Sequence, residues 1–118
     1  MTCNCNQENT IKITAGCSKT LTFNFDSDLD GLSAEFCVRA ELDKTPVLTK
    51  TISDLSGQSF DLELTPTDTS VFPFSDNDYA DRYIWGLDVY DTTTRTAVFP
   101  QTGENPPSFI VFRHVVGN

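Results

Sequence analysis

Between Arg82 and Tyr90 the chain alternates with a period of two: Tyr83, Trp85, Leu87 and Val89 fall on one side, and Arg82, Ile84, Gly86, Asp88 and Tyr90 on the other. A helix would gather Tyr83, Leu87 and Tyr90 but send Trp85 and Val89 elsewhere, and aromatic and β-branched side chains favour a pleated surface. The spacing predicts a central β-strand carrying the only tryptophan. Gly86 lies opposite the bulky row, where a missing side chain lets a neighbour approach.

The rest of the chain supplies strands to cover this one. Thr10 to Thr14 turns Ile11 and Ile13 inward; Ser18 to Asp26 does the same with Leu21, Phe23 and Phe25. Ala34 to Leu42 places Ala34, Phe36, Val38, Ala40 and Leu42 on one face, and Ser59 to Leu64 places Phe60, Leu62 and Leu64. Val47 to Ile52 is Thr-rich, weakly apolar on both faces, and reads as an edge strand. Thr96 to Gln101 is a short partner after the turn at Asp91 to Arg95. Ser108 to Val116 is apolar on both faces through Phe109, Ile110, Val111 and Phe112, which suits a strand covered on both sides or one that meets another subunit. Helix-start chemistry occurs once, with Thr65 to cap, Pro66 at the first helical position and Asp68 in the first turn, so one short helical turn is expected near 65–72.

Strands about ten residues apart, with turn signals between them and no long helical period, predict an all-β fold of seven to eight antiparallel strands, a sandwich in preference to a barrel. Residues 1–9 are polar and predict a flexible tail; 10–118 form a single domain. Its expected core is Phe23, Phe25, Phe36, Phe60, Tyr83, Trp85 and Leu87, each large side chain contributing roughly 1.5 to 3 kcal/mol on burial.

Composition sharpens this picture. With 118 residues the chain is long enough for one core, and nine Phe, three Tyr and one Trp concentrate its apolar surface in large side chains. Seventeen acidic against eight basic residues leave a formal net charge of −9, with no basic stripe, which argues against nucleic acid or an anionic membrane as partner. No signal-peptide pattern or membrane-length apolar run is present, so the expectation is a protein made and kept in the cytosol or released by lysis. In that compartment Cys3, Cys5, Cys17 and Cys37 are expected as thiols.

Candidate chemistry is sparse. Asp26, Asp28, Asp30 and Gly31 match the first half of a calcium loop, but the twelfth position is Cys37 and the flanks are strands, so a solvated turn is the competing reading. Asp76, Asp78 and Asp81 with Tyr79 form a second acidic loop of the kind that binds sugars, or is merely solvated. Cys3 and Cys5 lack the two-residue gap usual in zinc pairs. His114, the only histidine, falls in the last predicted strand as a polar neighbour more readily than as a base. No nucleophile elbow, phosphate loop or zincin helix occurs. No enzyme activity, cofactor or metal is therefore expected.

Four stretches carry a resemblance: Ile13-Thr-Ala-Gly-Cys-Ser-Lys-Thr-Leu-Thr-Phe23, Ala34-Glu-Phe-Cys-Val-Arg-Ala40, Phe60-Asp-Leu-Glu-Leu-Thr-Pro-Thr-Asp-Thr69 and the strand Arg82 to Tyr90, followed by Gly103 and a closing strand. In this order they resemble the small immunoglobulin-like modules of tailed bacteriophages, such as the amino-terminal domain of upper baseplate proteins and related virion attachment domains. Those modules share a Gly-Asp-Thr opening, which stands here as Gly16-Cys17-Ser18, a Phe-x-Val-Arg strand and a Leu-Thr-x-x-Asp-Thr turn.

The resemblance implies an immunoglobulin-like β-sandwich and a non-enzymatic virion structural or accessory protein. Capsid decoration, the head-tail junction or the baseplate would each suit it, since Met1 to Asn118 reads as a complete small protein. Its partners would be other virion proteins, in a homo-oligomer or repeated copies, with assembly in the host cytoplasm. Tyr83-x-Trp85 is similar to the tyrosine corner of immunoglobulin domains, with Trp85 where a cysteine would stand. The alternative is a carbohydrate- or calcium-binding adhesin-type module using the acidic loops.

Overall fold

The computed structural model describes residues 10–41, 44–73, 79–99 and 108–114. In chain order these form β1 (Ile11–Thr14), β2 (Lys19–Asn24), β3 (Ser33–Arg39), β4 (Leu48–Ile52), β5 (Ser59–Leu64), α1 (Pro66–Thr69), β6 (Ala80–Tyr90), β7 (Arg95–Phe99) and β8 (Ser108–Phe112). Among the described residues the fold is all-β apart from the single turn of α1.

The large sheet runs β1-β8-β6-β3-β4, and β7 also pairs with β6; β2 and β5 make a separate two-stranded sheet. The strand that holds Trp85 is the centre. On one edge β3 pairs along it from Ile84 to Tyr90. On the other edge β8 takes Ala80 to Ile84 and β7 takes Leu87 to Tyr90. The register shifts between Leu87 and Asp88, whose partners are Phe99 and Ala97, so Val98 is an extra residue and is buried.

One pairing departs from the antiparallel expectation. β1 lies parallel to β8, with Ile11 opposite Phe109 and Ile13 opposite Val111. The chain leaves β1 for β2, in the other sheet, so no hairpin dictates the direction in which β1 and β8 meet.

The period-two pattern translates directly into burial. Tyr83, Trp85, Leu87 and Val89 are buried along β6, as are Leu21 and Phe23 on β2 and Leu62 and Leu64 on β5. The sheets meet through aromatic rings: Phe23 lies 6.0 Å from Trp85, which lies 5.7 Å from Phe36. Phe25 is buried just past the end of β2, while Phe60 is only partly buried and stacks on Phe25 at 5.9 Å. Phe72, beyond α1, closes the core with its ring 4.9 Å from Tyr83 and 5.4 Å from Phe109.

β2, β3 and β8 are shorter than their alternation predicts. β3 ends at Arg39 and Ala40 is exposed rather than inward, because the chain has begun the turn that returns Val47 N to the Val38 carbonyl at 2.7 Å. β8 ends at Phe112, and Arg113 N donates to the Tyr79 carbonyl at 2.7 Å, so His114 lies past the strand and is exposed. Leu42, the predicted 1–9 tail with Cys3 and Cys5, Asp76, Asp78 and Gly103 lie outside the described residues. Among the described residues no helix is long and apolar enough to cross a membrane.

Candidate functional site

Strand directions divide the molecule into two ends. The turn between β1 and β2, together with α1, lies at one of them. Thr65 caps α1 from an extended backbone: its Oγ1 accepts from Asp68 N at 3.1 Å, while its own N–H donates to Asp68 Oδ2 at 2.9 Å. Lys50 Nζ donates to the same oxygen at 2.7 Å. Lys50 pairs with Phe36 and so points to the core side of β4, the last strand of the sheet. An inward charge on an edge strand deters the addition of a foreign strand. Burial would raise the Asp68 carboxyl, but the hydrogen bonds from Lys50 and Thr65 outweigh it and hold the group below its ordinary value.

Thr69 ties this helix to the opening turn. It is fully buried, its Oγ1 accepts from Gly16 N at 3.0 Å, and its hydroxyl reaches the Cys17 carbonyl at 2.9 Å or that of Pro66 at 3.2 Å. Gly16 has φ +82°, a left-handed conformation that suits glycine. Beside this turn lies an open groove of about 360 Å³, lined by Lys12, Thr14, Cys17, Ser18, Lys19 and Phe112.

At the opposite end, the loop after β2 is zipped to the loop before β5. Phe25 N donates to Gln58 O at 2.7 Å, Leu29 N to Gly57 O at 2.7 Å, and Leu55 N to Leu32 O at 2.9 Å. Leu29 and Leu55 are buried beneath these bonds. Leu29 therefore anchors the acidic turn and leaves Asp26, Asp28 and Asp30 exposed around it.

Two carboxylates of the calcium candidate have partners within these loops. Asp30 Oδ1 accepts from Gly57 N at 2.8 Å and Asp26 Oδ1 from Ser27 Oγ at 3.2 Å, and the three carboxylates do not converge. Among the described residues no group of three His, Cys, Asp or Glu side chains is placed to hold a metal ion. Of the second acidic loop, Tyr79 is 60% exposed and touches the Phe112 ring at 5.6 Å, and Asp81 begins β6 beside Ala80.

The hairpin turn between β6 and β7 is fixed by one carboxylate oxygen. Asp91 Oδ1 accepts from Thr93 N at 2.7 Å, Thr94 N at 2.8 Å and the two hydroxyls at 3.0 and 3.1 Å. Those bonds, the backbone one from Thr93 first, pull the Asp91 carboxyl down to about 2.

On the outer face of the large sheet Glu35 stands directly opposite Asp88, a like-charge pair. Arg95 Nη1 resolves it, reaching Asp88 Oδ2 at 2.8 Å and Glu35 Oε1 at 2.9 Å, with its guanidinium 4.4 Å from the Tyr90 ring centre. Cys37, one row away, contacts Thr49 Oγ1 at 3.7 Å; it and Cys17 are free thiols. Tyr83, on the buried face, donates its hydroxyl to the Pro73 carbonyl at 3.0 Å, and burial followed by the charge of Asp81 raises its phenol.

No protein-family model matches this chain, and no curated protein sequence is significantly similar to it. What the geometry offers is contact chemistry: exposed carboxylates on loops at one end and ammonium groups beside a groove at the other. Sequence reasoning missed Lys12 and Lys19 as a pair. The available signal was that two of the few cations of an acidic chain bracket one short turn.

Proposed function

We propose that this protein is a non-enzymatic structural or accessory module of a phage virion, an immunoglobulin-like sandwich that works by protein-protein contact in repeated copies. The observation that carries the reading is the arrangement around Tyr83 and Trp85. In immunoglobulin domains a tyrosine at the start of strand F bonds an upstream backbone group, and two residues later a cysteine bridges to strand B. Here the Tyr83 hydroxyl bonds the Pro73 carbonyl, and Trp85 packs 6.0 Å from Phe23 of β2, so a ring contact stands in the place of the disulfide.

Strand order supports the same reading. β2 and β5 form one sheet, as B and E do; β3, β6 and the β7-β8 pair share the other, as C, F and G do, with β4 flanking β3. The resembling motifs also meet in space, since Thr69 of the Leu-Thr-x-x-Asp-Thr turn bonds Gly16 and Cys17 of the opening stretch.

Mass spectrometry of washed particles made by the virus whose genome carries this sequence tests the proposal. Recovery of the chain in many copies per particle is the expected result. Its absence from those particles sinks the virion reading.

A further inference from the structure

We infer that copies of this chain associate head to tail, the acidic loops at one end of one copy seating on the Lys12-Lys19 groove at the opposite end of the next. This rests on the reading as a repeated docking module and names its partner, a second copy.

β2 sets the geometry. Lys19 opens the strand at the groove, and Asp26 follows its far end; six residues of extended chain separate the two by about 20 Å. The loops over 25–32, 53–58 and 91–94 share that far end. They expose Asp26, Asp28, Asp30, Asp54 and Asp91 and contain no Lys, Arg or His. Asp26 and Asp28 flank Ser27 in the first of these loops, and all three are exposed.

The groove presents the complement: exposed Lys12 and Lys19, hydroxyls of Thr14 and Ser18 for carboxylate oxygens, and the half-buried ring of Phe112 as an apolar wall. A volume of about 360 Å³ suits a loop tip of a few side chains.

Because the two patches lie at opposite ends of β2, a contact between them is heterologous, extending into rings or stacks. The net charge of −9 opposes association at long range. At about 0.15 M salt, however, screening acts within roughly 8 Å, so remote charges fade while carboxylate-ammonium pairs in contact persist. Each contact is weak alone and gains from repetition in an array.

Sedimentation of the full chain tests this. At about 0.15 M salt the mean mass should rise with concentration up to about 1 mM, and the rise should vanish near 1 M salt. Two variants with changes only at exposed positions, Lys12→Ala/Lys19→Ala and Asp26→Asn/Asp28→Asn, should each be monomeric. Their equimolar mixture should stop at dimers, since each brings one intact end. A wild-type chain that stays monomeric, variants that associate like wild type, or a mixture that stays monomeric would each overturn the inference. A monomeric chain that is nonetheless abundant in washed particles sinks self-association alone and leaves the virion reading standing.

Discussion

The hydroxyl of Tyr83 donates a 3.0 Å hydrogen bond to the carbonyl of Pro73, tying the start of the central strand to the segment that follows α1. The same ring packs edge-on against Phe72 at 4.9 Å. Tyr83→Phe keeps that packing and removes the bond, so the folded state should lose about 1 kcal/mol, read from urea unfolding. A variant as stable as wild type would show that the bond contributes nothing to the closure.

Thr69→Val deletes a buried hydroxyl at nearly constant shape and leaves Gly16 N–H and the Cys17 carbonyl without their partner. The expected loss is about 2 to 3 kcal/mol, larger than for the Tyr83 variant because two backbone groups are stranded. Thr69→Ser restores the hydroxyl and should cost only about 0.8 kcal/mol for the missing methyl. Equal losses in the two variants would refute the clasp.

Asp68 predicts a pH dependence. Its carboxyl is held below the ordinary 3.8 in the folded protein, so at acid pH the unfolded chain binds the proton first. The stabilisation is fully present above about pH 4 to 5 and fades as pH falls through the folded-state value. Asp68→Asn should flatten that part of the stability profile. An unchanged slope in the variant would count against the pairing with Lys50.

Asp91 should titrate near 2 by carbon NMR, well below its ordinary 3.8. Its contribution is present above the unfolded value and disappears as pH falls through about 2. Amide exchange at Thr93 and Thr94 should quicken in Asp91→Ala, and a titration midpoint near 3.8 in the wild type would contradict the four-fold bonding of its oxygen.

Local features of this fold are written locally. Alternation along β6, β2 and β5 gives face and burial because a period of two leaves no other way to hide Trp85, Phe23 and Leu62 together. Thr65, Pro66 and Asp68 announce α1 because capping acts over three residues. Strand ends are less legible: Ala40 continues the pattern of β3 but faces water once the turn begins. Relations across the chain are not legible at all. Nothing near Lys50 points to Asp68, nothing near Gly16 points to Thr69, and Leu29 looks like an accident in an acidic turn until its burial against the loop at 55–58 is seen.

The parallel pairing of β1 with β8 has a consequence for how the protein is made. A ribosome delivers Ile11 and Ile13 early, yet their neighbours Phe109 and Val111 arrive only after β2 to β7 have been translated. The large sheet cannot close until β8 has emerged, and closing so long a span carries a loop-closure cost in entropy. Until then β1 is an adhesive strip awaiting its mate, and the nascent chain has reason to need a holdase.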